Sequence, residues 1–410
     1  MMIKPQTLKG FRDFLPLEAK KRQFVINKLK DVFELYGFEP LETPTLEYEE
    51  ILMGKYGEEA DRLVYRFEDH GKRRIALRYD QTVPLARVIA QYQNELPMPF
   101  KRYQIQPVWR AENTQKGRFR EFIQCDIDTI GTNSTFAEAE IISLLEHVYK
   151  ELGFKKIKIL INDRRVFEGL SPKAIGIIDK LKKIGEDGVV EELIANEIVK
   201  DVDEAKNILQ SIVTQKPTAY ITQVLAAVQQ LQNQQDIIEF SPTLARGLDY
   251  YTGIIIEVET PEYPHGSLGG GGRYDNLIGM FAGKDIAAVG YAFGFDRIID
   301  AMDELQLFPT ELQQATTQVL VTVFDESLKE TSLKTCSTLR RHHINAEIYL
   351  GTNIKMEKQF KYADQKGIPF AAIIGPEEIE KNSITLKNLR ERTQRQLTLD
   401  ELISFLHTDK

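Results

Sequence analysis

Two segments of alternating polar and apolar residues, 104–110 and 122–130, flank one short polar loop. Alternation of this kind is typical of strands with one buried face, because successive side chains of a strand point to opposite sides. Two such strands close together in the chain predict an antiparallel hairpin. Similar segments at 63–68 and 74–78 are expected to join it in one largely antiparallel sheet.

Helices and further strands are predicted around this hairpin. Apolar residues recur at helical spacing over 18–36, and Gly37 is a plausible stop. A second amphipathic helix is predicted at 136–152, followed by a strand at 155–162. Further strands are expected at 253–260 and 287–293, with a helix at 296–305. This mixture predicts an α+β domain in which helices flank an antiparallel sheet.

Two regions differ from this domain. Residues 170–235 are rich in Lys, Glu, Gln, Leu and Ile and have helical periodicity throughout, which favours a helical insertion; surface helices without independent packing are the alternative. After a polar linker at 306–318, strands alternate with helices to the end of the chain, which predicts a separate α/β domain with a largely parallel sheet. The expected domains are therefore 1–169 with 236–310, the insertion 170–235, and 318–410.

Composition restricts the class of protein. The 410 residues include 42% hydrophobic and 28% charged residues, a balance typical of a globular protein with a sizeable core. No apolar run reaches the roughly 20 residues of a membrane span, and the polar N-terminus predicts no signal peptide. Two cysteines without metal-binding spacing favour a reducing, cytoplasmic compartment and make a structural zinc site improbable. The net charge of −8 does not by itself suggest a nucleic-acid partner.

The hairpin loop carries the first candidate site. Its polar residues lie between two strands, the first of which ends at Arg110; they are Glu112, Gln115, Lys116, Arg118 and Arg120, and the second strand brings Phe122, Gln124, Asp126 and Asp128. Guanidinium groups on a rigid hairpin suit phosphate, because they match its oxygens in pairs, and a neighbouring Phe offers a stacking face for a purine. The alternative is a charged surface hairpin with weak ion pairs.

Two later stretches carry candidate residues near strands. In ARGLDYYTG, Arg246 and Asp249 stand with Tyr250 and Tyr251 directly before an apolar strand, where core packing of the tyrosines is the alternative. In GGGGRYD, four glycines permit positive φ and close approach of the backbone to a ligand. A simple flexible turn is the alternative for the glycines, although Tyr274 and an apolar helix follow them.

Two weaker signals complete the pattern. In GYAFGFDR, Arg297 lies at the start of a helix, where an anion is favoured; an ordinary ion pair with Asp296 is the alternative. In LRYDQTVPLAR, Asp80 and Thr82 are two residues apart and could together hold an ammonium group.

The order of these stretches resembles the class II aminoacyl-tRNA synthetases and, within them, the histidyl-tRNA synthetase family. RAE at 110–112 with Phe122 is similar to motif 2 of the class, GYAFGFDR to motif 3, and FEPLETPTLE around Pro44 to motif 1. ARGLDYYTG and GGGGRYD resemble the two motifs that distinguish the histidine enzymes. The resemblance covers nearly the whole chain and includes the insertion and a C-terminal anticodon-binding domain.

The resemblance implies a role for each matching residue. For ATP, these are Arg110 on the α-phosphate, Glu112 on the adenine amino group, Phe122 and Arg297 around the adenine, and Arg118 and Arg297 on the β- and γ-phosphates. For histidine, these are Asp80, Thr82 and Gln124 on the α-amino group, Asp128 and Tyr251 on the imidazole nitrogens with Tyr274 close by, and Arg246 between the carboxylate and the α-phosphate.

The implied reaction is activation of L-histidine by ATP and its transfer to tRNA(His), with Arg110 and Arg246 as the catalytic residues. Activation brings two anions together, so fixed cations are its main requirement. Mg²⁺ bridging the phosphates is expected on chemical grounds. Polar recognition of both imidazole nitrogens rejects other amino acids strongly, so no editing domain is expected. Motif 1 implies a homodimer.

Two related classes remain as alternatives. A synthetase-like regulatory subunit of ATP phosphoribosyltransferase would share the core but lack the anticodon domain and usually have an eroded ARGLDYYTG segment; both features are present here. A module that senses uncharged tRNA would normally belong to a longer, kinase-containing chain. A generic nucleotide-binding protein is the third and least informative option.

Overall fold

The computed structural model describes residues 3–54, 61–114, 118–231, 236–245 and 251–408. It forms two compact units, Met1–Phe308 and Pro309–Lys410. Within the described part of the chain, no helix combines the length and the apolar character that a membrane span needs.

The first unit begins with a long helix and a hairpin. Its first elements are α1 (Pro16–Leu35), β1 (Glu39–Pro40), β2 (Leu46–Tyr48), α2 (Glu49–Leu52), β3 (Arg66–Glu68), β4 (Arg74–Leu77) and α3 (Thr82–Tyr92). These are followed by β5 (Phe100–Trp109), β6 (Glu121–Ile130), α4 (Thr135–Glu151) and β7 (Lys158–Asp163). Both predicted helices and the central hairpin are confirmed.

Four helices follow and then the last strands of this unit. The helices are α5 (Pro172–Ile178), α6 (Leu181–Ala195, with a kink at Gly185), α7 (Val202–Val213) and α8 (Ala219–Leu231). The remaining elements are β8 (Ile238–Phe240), β9 (Ile254–Glu259), β10 (Gly269–Arg273), α9 (Gly279–Ala282), β11 (Ala288–Phe293) and α10 (Phe295–Glu304).

The main sheet has eight strands in the order β1-β5-β6-β11-β10-β9-β7-β8. Only the outer pairs β1·β5 and β7·β8 are parallel, and the other pairs are antiparallel. The predicted antiparallel sheet is therefore confirmed at its centre. The expectation that 63–68 and 74–78 join this sheet is wrong, because β4 pairs with β2 on one side and β3 on the other in a separate three-stranded sheet.

The two faces of the main sheet bury different kinds of residue. One face packs in a large apolar core against α1, α4, α8 and α10. The opposite face carries two smaller apolar clusters, one shared with α5, α6 and α7 around Leu160 and Ile255, and one shared with α3 and α9 around Ile130 and Ala288. Polar side chains of the central strands lie between these clusters, and that gap holds the candidate site.

The helical segment divides between two cores. Helices α5, α6 and α7 share an apolar cluster with the end of the main sheet. Helix α8 instead packs on α4 and contributes Ile221, Val224 and Val228 to the large core. The last helix of the segment is thus tied directly to the sheet domain.

The second unit has a five-stranded sheet in the order β13-β12-β14-β15-β16. Its elements are β12 (Val319–Val321), α11 (Lys329–Arg341), β13 (Ala346–Ile348), α12 (Met356–Lys366), β14 (Phe370–Ile373), α13 (Pro376–Glu380), β15 (Ile384–Asn388), β16 (Gln394–Leu397) and α14 (Leu399–Thr408). The first three strands pair in parallel, as predicted, and β15 and β16 add an antiparallel edge.

Candidate functional site

A buried carboxylate lies at the centre of the polar face. Asp128 on β6 is 4% exposed. It accepts a hydrogen bond from the Tyr274 hydroxyl on one oxygen, and its other oxygen lies 2.7 Å from Arg102 Nη2 on β5. Burial raises the pKa of Asp128 to about 6, although Arg102 and the Tyr274 hydroxyl both act to lower it.

Arg102 is a functional candidate that the sequence analysis did not single out. It is fully buried, and it is the Cα partner of Asp128 in the β5·β6 ladder. A sequence signal for Arg102 exists in the alternation of β5. Arg102, Gln104 and Gln106 occupy every second position, and the residues between them are apolar. A buried arginine at such a position requires an acidic partner across the ladder.

A second buried carboxyl, Asp126, lies on the same face of β6. Its Oδ2 accepts a hydrogen bond from Gln124 Nε2 at 2.7 Å and is 4.0 Å from Arg102 Nη2. Burial raises the pKa of Asp126 to about 7; Arg102 opposes this shift, and Asp128 adds to it. Asp126 was predicted on this strand without a functional role.

The start of α3 is fastened against this hairpin. Gln81 is fully buried, and its Nε2 donates to the backbone oxygens of Gln106 at 3.1 Å and Gln124 at 3.0 Å. The preceding Asp80 accepts a hydrogen bond from Val83 N at 3.2 Å in the first turn of α3. Thr82 is the first residue of that helix. The predicted trio of Asp80, Thr82 and Gln124 is therefore held at one end of the polar gap.

The glycine run is a central strand. Gly269–Gly272 lie in β10 between β9 and β11, and none of them has positive φ. The positive φ that glycine permits is therefore not adopted here, and the alternative of a flexible turn is wrong. Glycine is required here by space: a Cβ at Gly271 would lie 2.1 Å from Gly290 O, and one at Gly272 would lie 2.4 Å from Ile254 O.

Tyr251 and the residues after β10 border the pocket. Tyr251 is half-buried and contacts both smaller apolar clusters of this face. A Cβ at Gly272 would lie 3.1 Å from Tyr251 Cδ1, so the tyrosine ring covers the glycine strand directly. Tyr274 is 2% exposed. Both predicted tyrosines thus lie beside β10, although the Tyr251 side chain also packs with apolar residues, as the alternative held.

The arginines of the hairpin loop lie at the other end of β6. The Arg110 guanidinium is 4.4 Å from the centroid of the Tyr79 ring and 5.0 Å from that of Phe122, and its Nε donates to Tyr79 O at 3.1 Å. Glu112 Oε2 lies 3.9 Å from the exposed Arg118, a contact that is weak in water. Arg110 therefore covers the Phe122 ring in this structure.

The N-terminal segment, which the sequence analysis left without a role, fastens the base of this loop. Gly10 O accepts a hydrogen bond from Arg120 N at 2.9 Å. The guanidinium of Arg12 lies 3.3 Å from the Phe119 ring centroid and pairs with Asp296 at 3.1 Å. The segment thus connects the hairpin loop to the start of α10.

Arg297 follows Asp296 at the start of α10. Asp296 is paired with Arg12 and, at 2.6 Å, with Arg22. An ordinary ion pair at the helix start, which was the alternative interpretation, is therefore found for Asp296, and its partners lie in the N-terminal region. Arg297 Nη1 donates to Ser267 O at 3.1 Å, just before β10.

Five of the candidate residues lie outside the described part of the chain: Arg246, Asp249 and Tyr250 in ARGLDYYTG, and Gln115 and Lys116 in the hairpin loop. The described candidates form two groups on one polar face. Asp128, Tyr274, Tyr251 and Gln124 surround the centre of β6 and β10, whereas Arg110, Glu112, Arg118 and Phe122 surround the hairpin loop.

Comparison with known proteins agrees with this arrangement. The family model described as "Histidyl-tRNA synthetase" matches residues 10–184 and 188–298, and the model described as "Anticodon binding domain" matches residues 318–409. A histidine–tRNA ligase from Flavobacterium johnsoniae is 40% identical, covering 95% of this chain and 96% of the relative. Another from Christiangramia forsetii is 39% identical, covering 98% of this chain and 99% of that relative.

Solved structures give the same result for the fold. The crystal structure of histidyl-tRNA synthetase from Nostoc sp. PCC 7120 has a TM-score of 0.85 and 29% identity, with complete coverage of both chains. The apo enzyme from S. aureus has a TM-score of 0.74 at 24% identity, covering 99% of this chain and 100% of that one; at this identity it supports the fold alone. From the family match and the full-length relatives together, this chain belongs to the histidyl-tRNA synthetase family.

Proposed function

We propose that this protein is a histidine–tRNA ligase that activates L-histidine with ATP and transfers it to the 3′ end of tRNA(His). The observation that carries the proposal is the identity of about 40% to histidine–tRNA ligases over almost the whole length. The match of residues 318–409 to an anticodon-binding domain supports a ligase over a regulatory subunit that lacks such a domain.

Histidine is selected by the centre of the polar face. An ionised Asp128 accepts a hydrogen bond from one imidazole nitrogen, and Tyr251 bonds the other, while Tyr274 orients the Asp128 carboxylate. The support is the burial of Asp128 and its contact with the Tyr274 hydroxyl. A site that must satisfy buried polar groups discriminates strongly against side chains that lack ring nitrogens.

The α-amino group is held by Asp80, Thr82 and Gln124. Gln124 Oε1 is buried and accepts no hydrogen bond from the described residues, and the same holds for Gln81 Oε1. An ammonium group carries three donors and needs several acceptors. Buried acceptors without partners are costly, so these two oxygens support an ammonium position beside the start of α3.

ATP is bound along the hairpin loop. Arg110 holds the α-phosphate, Glu112 accepts from the adenine amino group, and Arg118 and Arg297 contact the β- and γ-phosphates. Adenine stacks between Phe122 and Arg297. In this structure the Arg110 guanidinium lies over the Phe122 ring. When adenine stacks on that face of the ring, the guanidinium must move away from it to reach the α-phosphate.

Activation is an in-line displacement. A carboxylate oxygen of histidine attacks the α-phosphorus, and the bond from that phosphorus to the pyrophosphate oxygen breaks. Arg110 and Arg246 neutralise the two anions and align them, which is the main requirement of the step. In the second step a hydroxyl of the tRNA 3′ end attacks the carbonyl carbon, and AMP leaves with the electron pair of the broken C–O bond.

We include Mg²⁺ in the proposal because the phosphate oxygens of ATP are suitable ligands for it. Among the described residues, no group of three or more His, Cys, Asp or Glu side chains could hold a metal ion. Mg²⁺ needs few protein ligands when phosphate oxygens are available. The ion would therefore come with the nucleotide and neutralise charge on the β- and γ-phosphates.

The domains and partners follow from the same proposal. Residues 1–169 with 236–310 form the catalytic domain, 170–235 the insertion, and 318–410 the anticodon-binding domain. The enzyme works in the cytoplasm as a homodimer. A groove lined by Pro44, Leu46 and Tyr48 beside the α3 residues Val88 and Tyr92 supports the dimer surface, since Leu46, Tyr48 and Tyr92 are exposed.

The test is pyrophosphate exchange with ATP, measured with each of the amino acids in turn. Exchange that depends on histidine alone is the expected result, and its absence in a folded protein would refute the proposal. Arg246→Ala should then lower the exchange rate by on the order of 100-fold with the fold retained. Light scattering should give the molar mass of a dimer.

A further inference from the structure

The polar face buries two carboxyl groups against one guanidinium. Arg102 is 0% exposed, and Asp126 and Asp128 are each 4% exposed. Moving charges out of water is costly unless each has a partner. With one cation for two carboxyl groups, the cluster reaches neutrality only when it holds one proton.

The groups that face this cluster come from every neighbouring element. Strand β5 contributes Arg102 and Gln104, and the residue after β10 contributes the Tyr274 hydroxyl. Asp80, before α3, adds negative charge that raises the pKa of both carboxyl groups. The β11 residues opposite Asp128 and Asp126 are Gly290 and Ala292, which carry no charge.

The contacts indicate which carboxyl group keeps the proton. Asp128 accepts a hydrogen bond from the Tyr274 hydroxyl on Oδ1, and its Oδ2 forms a close ion pair with Arg102 Nη2 at 2.7 Å. Asp126 lies 4.0 Å from Arg102 and receives the neutral Gln124 amide on Oδ2. The ionised form is therefore better supported at Asp128 than at Asp126.

Arg102 is itself fixed in place. Its Nη1 donates to Gln104 Oε1 at 3.3 Å. Gln104 in turn donates through Nε2 to Thr43 Oγ1 at 2.9 Å and to Gln106 Oε1 at 2.6 Å. These contacts restrict the movement of the guanidinium. Its position relative to Asp126 and Asp128 therefore decides which of the two carboxylates it stabilises.

We propose that Arg102 and Asp126 are positioning residues that set the charge of the histidine pocket: Arg102 keeps Asp128 ionised, and Asp126 holds the buried proton. The imidazole then meets a fixed anionic acceptor at Asp128. This proposal rests on the proposed role of Asp128 in reading the imidazole. It gives Asp126 a role that depends on pH although Asp126 need not touch the substrate.

Two substitutions should have different effects on the pH profile. In Asp126→Asn, a neutral amide replaces a carboxyl group that still holds its proton where Asp128 titrates, so Asp128 ionises over the same pH range. In Arg102→Met, the cation is lost, so Asp128 takes up a proton at higher pH. The acid limb of kcat/KM for histidine should therefore stay in place in Asp126→Asn and move up by about one pH unit in Arg102→Met.

The experiment measures histidine-dependent pyrophosphate exchange from about pH 5 to about pH 9, the range in which imidazole titrates. Free histidine titrates equally for every enzyme, so differences between variants report the protein. KM for ATP should stay constant. Combining Arg102→Met with Asp126→Asn should give the limb of Arg102→Met alone, because the amide again replaces a neutral group.

A matched control is available in the same sheet. Asp163 is 0% exposed on β7 and is paired with Arg165 and Thr218. Asp163→Asn makes the same chemical change at the same burial but outside the pocket, and should alter stability without moving the acid limb. If Arg102→Met does not fold, Arg102→Gln, which keeps a polar side chain but removes the charge, takes its place, and Arg102→Lys should keep the limb.

An acid limb that moves down in folded Asp126→Asn overturns the inference, because Asp126 would then carry a charge where Asp128 titrates. An acid limb that stays in place in folded Arg102→Met overturns it as well. Failure of the underlying assignment is distinguishable. If Asp128→Asn keeps the unchanged enzyme's KM for histidine, then Asp128 does not read the imidazole and the proposed histidine site is wrong. If Asp128→Asn loses histidine activation while Arg102→Met has no pH effect, the site stands and the charge-setting role falls.

Discussion

Replacing Gly290 by alanine should weaken histidine binding selectively. Gly290 lies opposite Asp128 in the β6·β11 ladder, and an added Cβ would stand 1.9 Å from Asp128 Oδ1 and 2.9 Å from Ile127 O. Such contacts are far inside van der Waals distance. Because Tyr274 and Arg102 hold the Asp128 carboxylate, the clash is relieved only when that carboxylate leaves its partners.

The size of the effect follows from what Asp128 must give up. Overpacking of a buried site typically costs about 1–3 kcal/mol of stability. A hydrogen bond to a charged group contributes about 1.5–3 kcal/mol, which corresponds to roughly 10- to 150-fold in an equilibrium constant. We therefore expect KM for histidine to rise by that factor in Gly290→Ala, while KM for ATP changes little because its proposed site lies at the other end of β6.

Pyrophosphate exchange gives both KM values, and urea unfolding gives the stability. A double-mutant cycle with Asp128→Ala isolates the clash. Removing the carboxylate eliminates the two shortest contacts and leaves Ile127 O at 2.9 Å, so Gly290→Ala should cost clearly less stability in that background. The reasoning is refuted if Gly290→Ala keeps KM for histidine within about twofold, or if its cost is the same in both backgrounds.

Three further predictions concern other parts of the molecule. Gly10 has φ +89°, and a Cβ there would lie 2.7 Å from Arg120 Cγ; Gly10→Ala should therefore raise KM for ATP more than KM for histidine, and the reverse order would contradict the role of the N-terminal segment. Burial raises the pKa of Asp126 from its ordinary value of 3.8 to about 7 in the folded protein. Its contribution to the free energy of unfolding is therefore fully present at low pH and is lost as the pH rises through about 7. Thermal unfolding should show that Asp126→Asn stabilises the protein more at about pH 8 than at about pH 5, and an equal change at both would contradict this. Deleting 318–410 should lower tRNA charging more than histidine-dependent exchange, and equal loss in a folded truncation would contradict the domain assignment.

The elements of this fold follow closely from local patterns in the sequence. The helix predicted at 18–36 is observed at Pro16–Leu35, and the hairpin strands are observed at Phe100–Trp109 and Glu121–Ile130. Helical spacing and strand alternation depend on neighbouring residues alone, so a single chain displays them. The separation of β3 and β4 into their own sheet depends on pairing with β2, and no local pattern contains that partner.

The glycine strand marks a different limit. Gly269–Gly272 have no strand propensity of their own, and the sequence did not predict a strand there. They form a strand because the neighbouring strands on both sides supply the hydrogen bonds and leave no room for a Cβ. Tertiary context of this kind overrides residue propensity.

The candidate site shows the same division. Asp128 and Tyr274 were predicted as neighbours of histidine only through resemblance, and the structure joins them by a hydrogen bond. Arg102 was missed because a charged residue within an alternating strand is usually assigned to the solvent side. Only the burial of both sheet faces reveals that its position is internal, where an ion pair is needed.

The burial of both faces also explains why glycine and charge occur together in this sheet. A polar pocket between two apolar clusters needs volume, which β10 and β11 provide by omitting side chains at Gly272 and Gly290. It also needs fixed polar groups, which the adjacent β6 provides at Asp126 and Asp128. Each feature alone destabilises a sheet, since glycine packs poorly and buried carboxylates lose hydration. The large apolar core on the opposite face can offset that cost only if the pocket stays small. The requirement for a small pocket is why an added methyl group at Gly290 must act on Asp128, and through it on histidine.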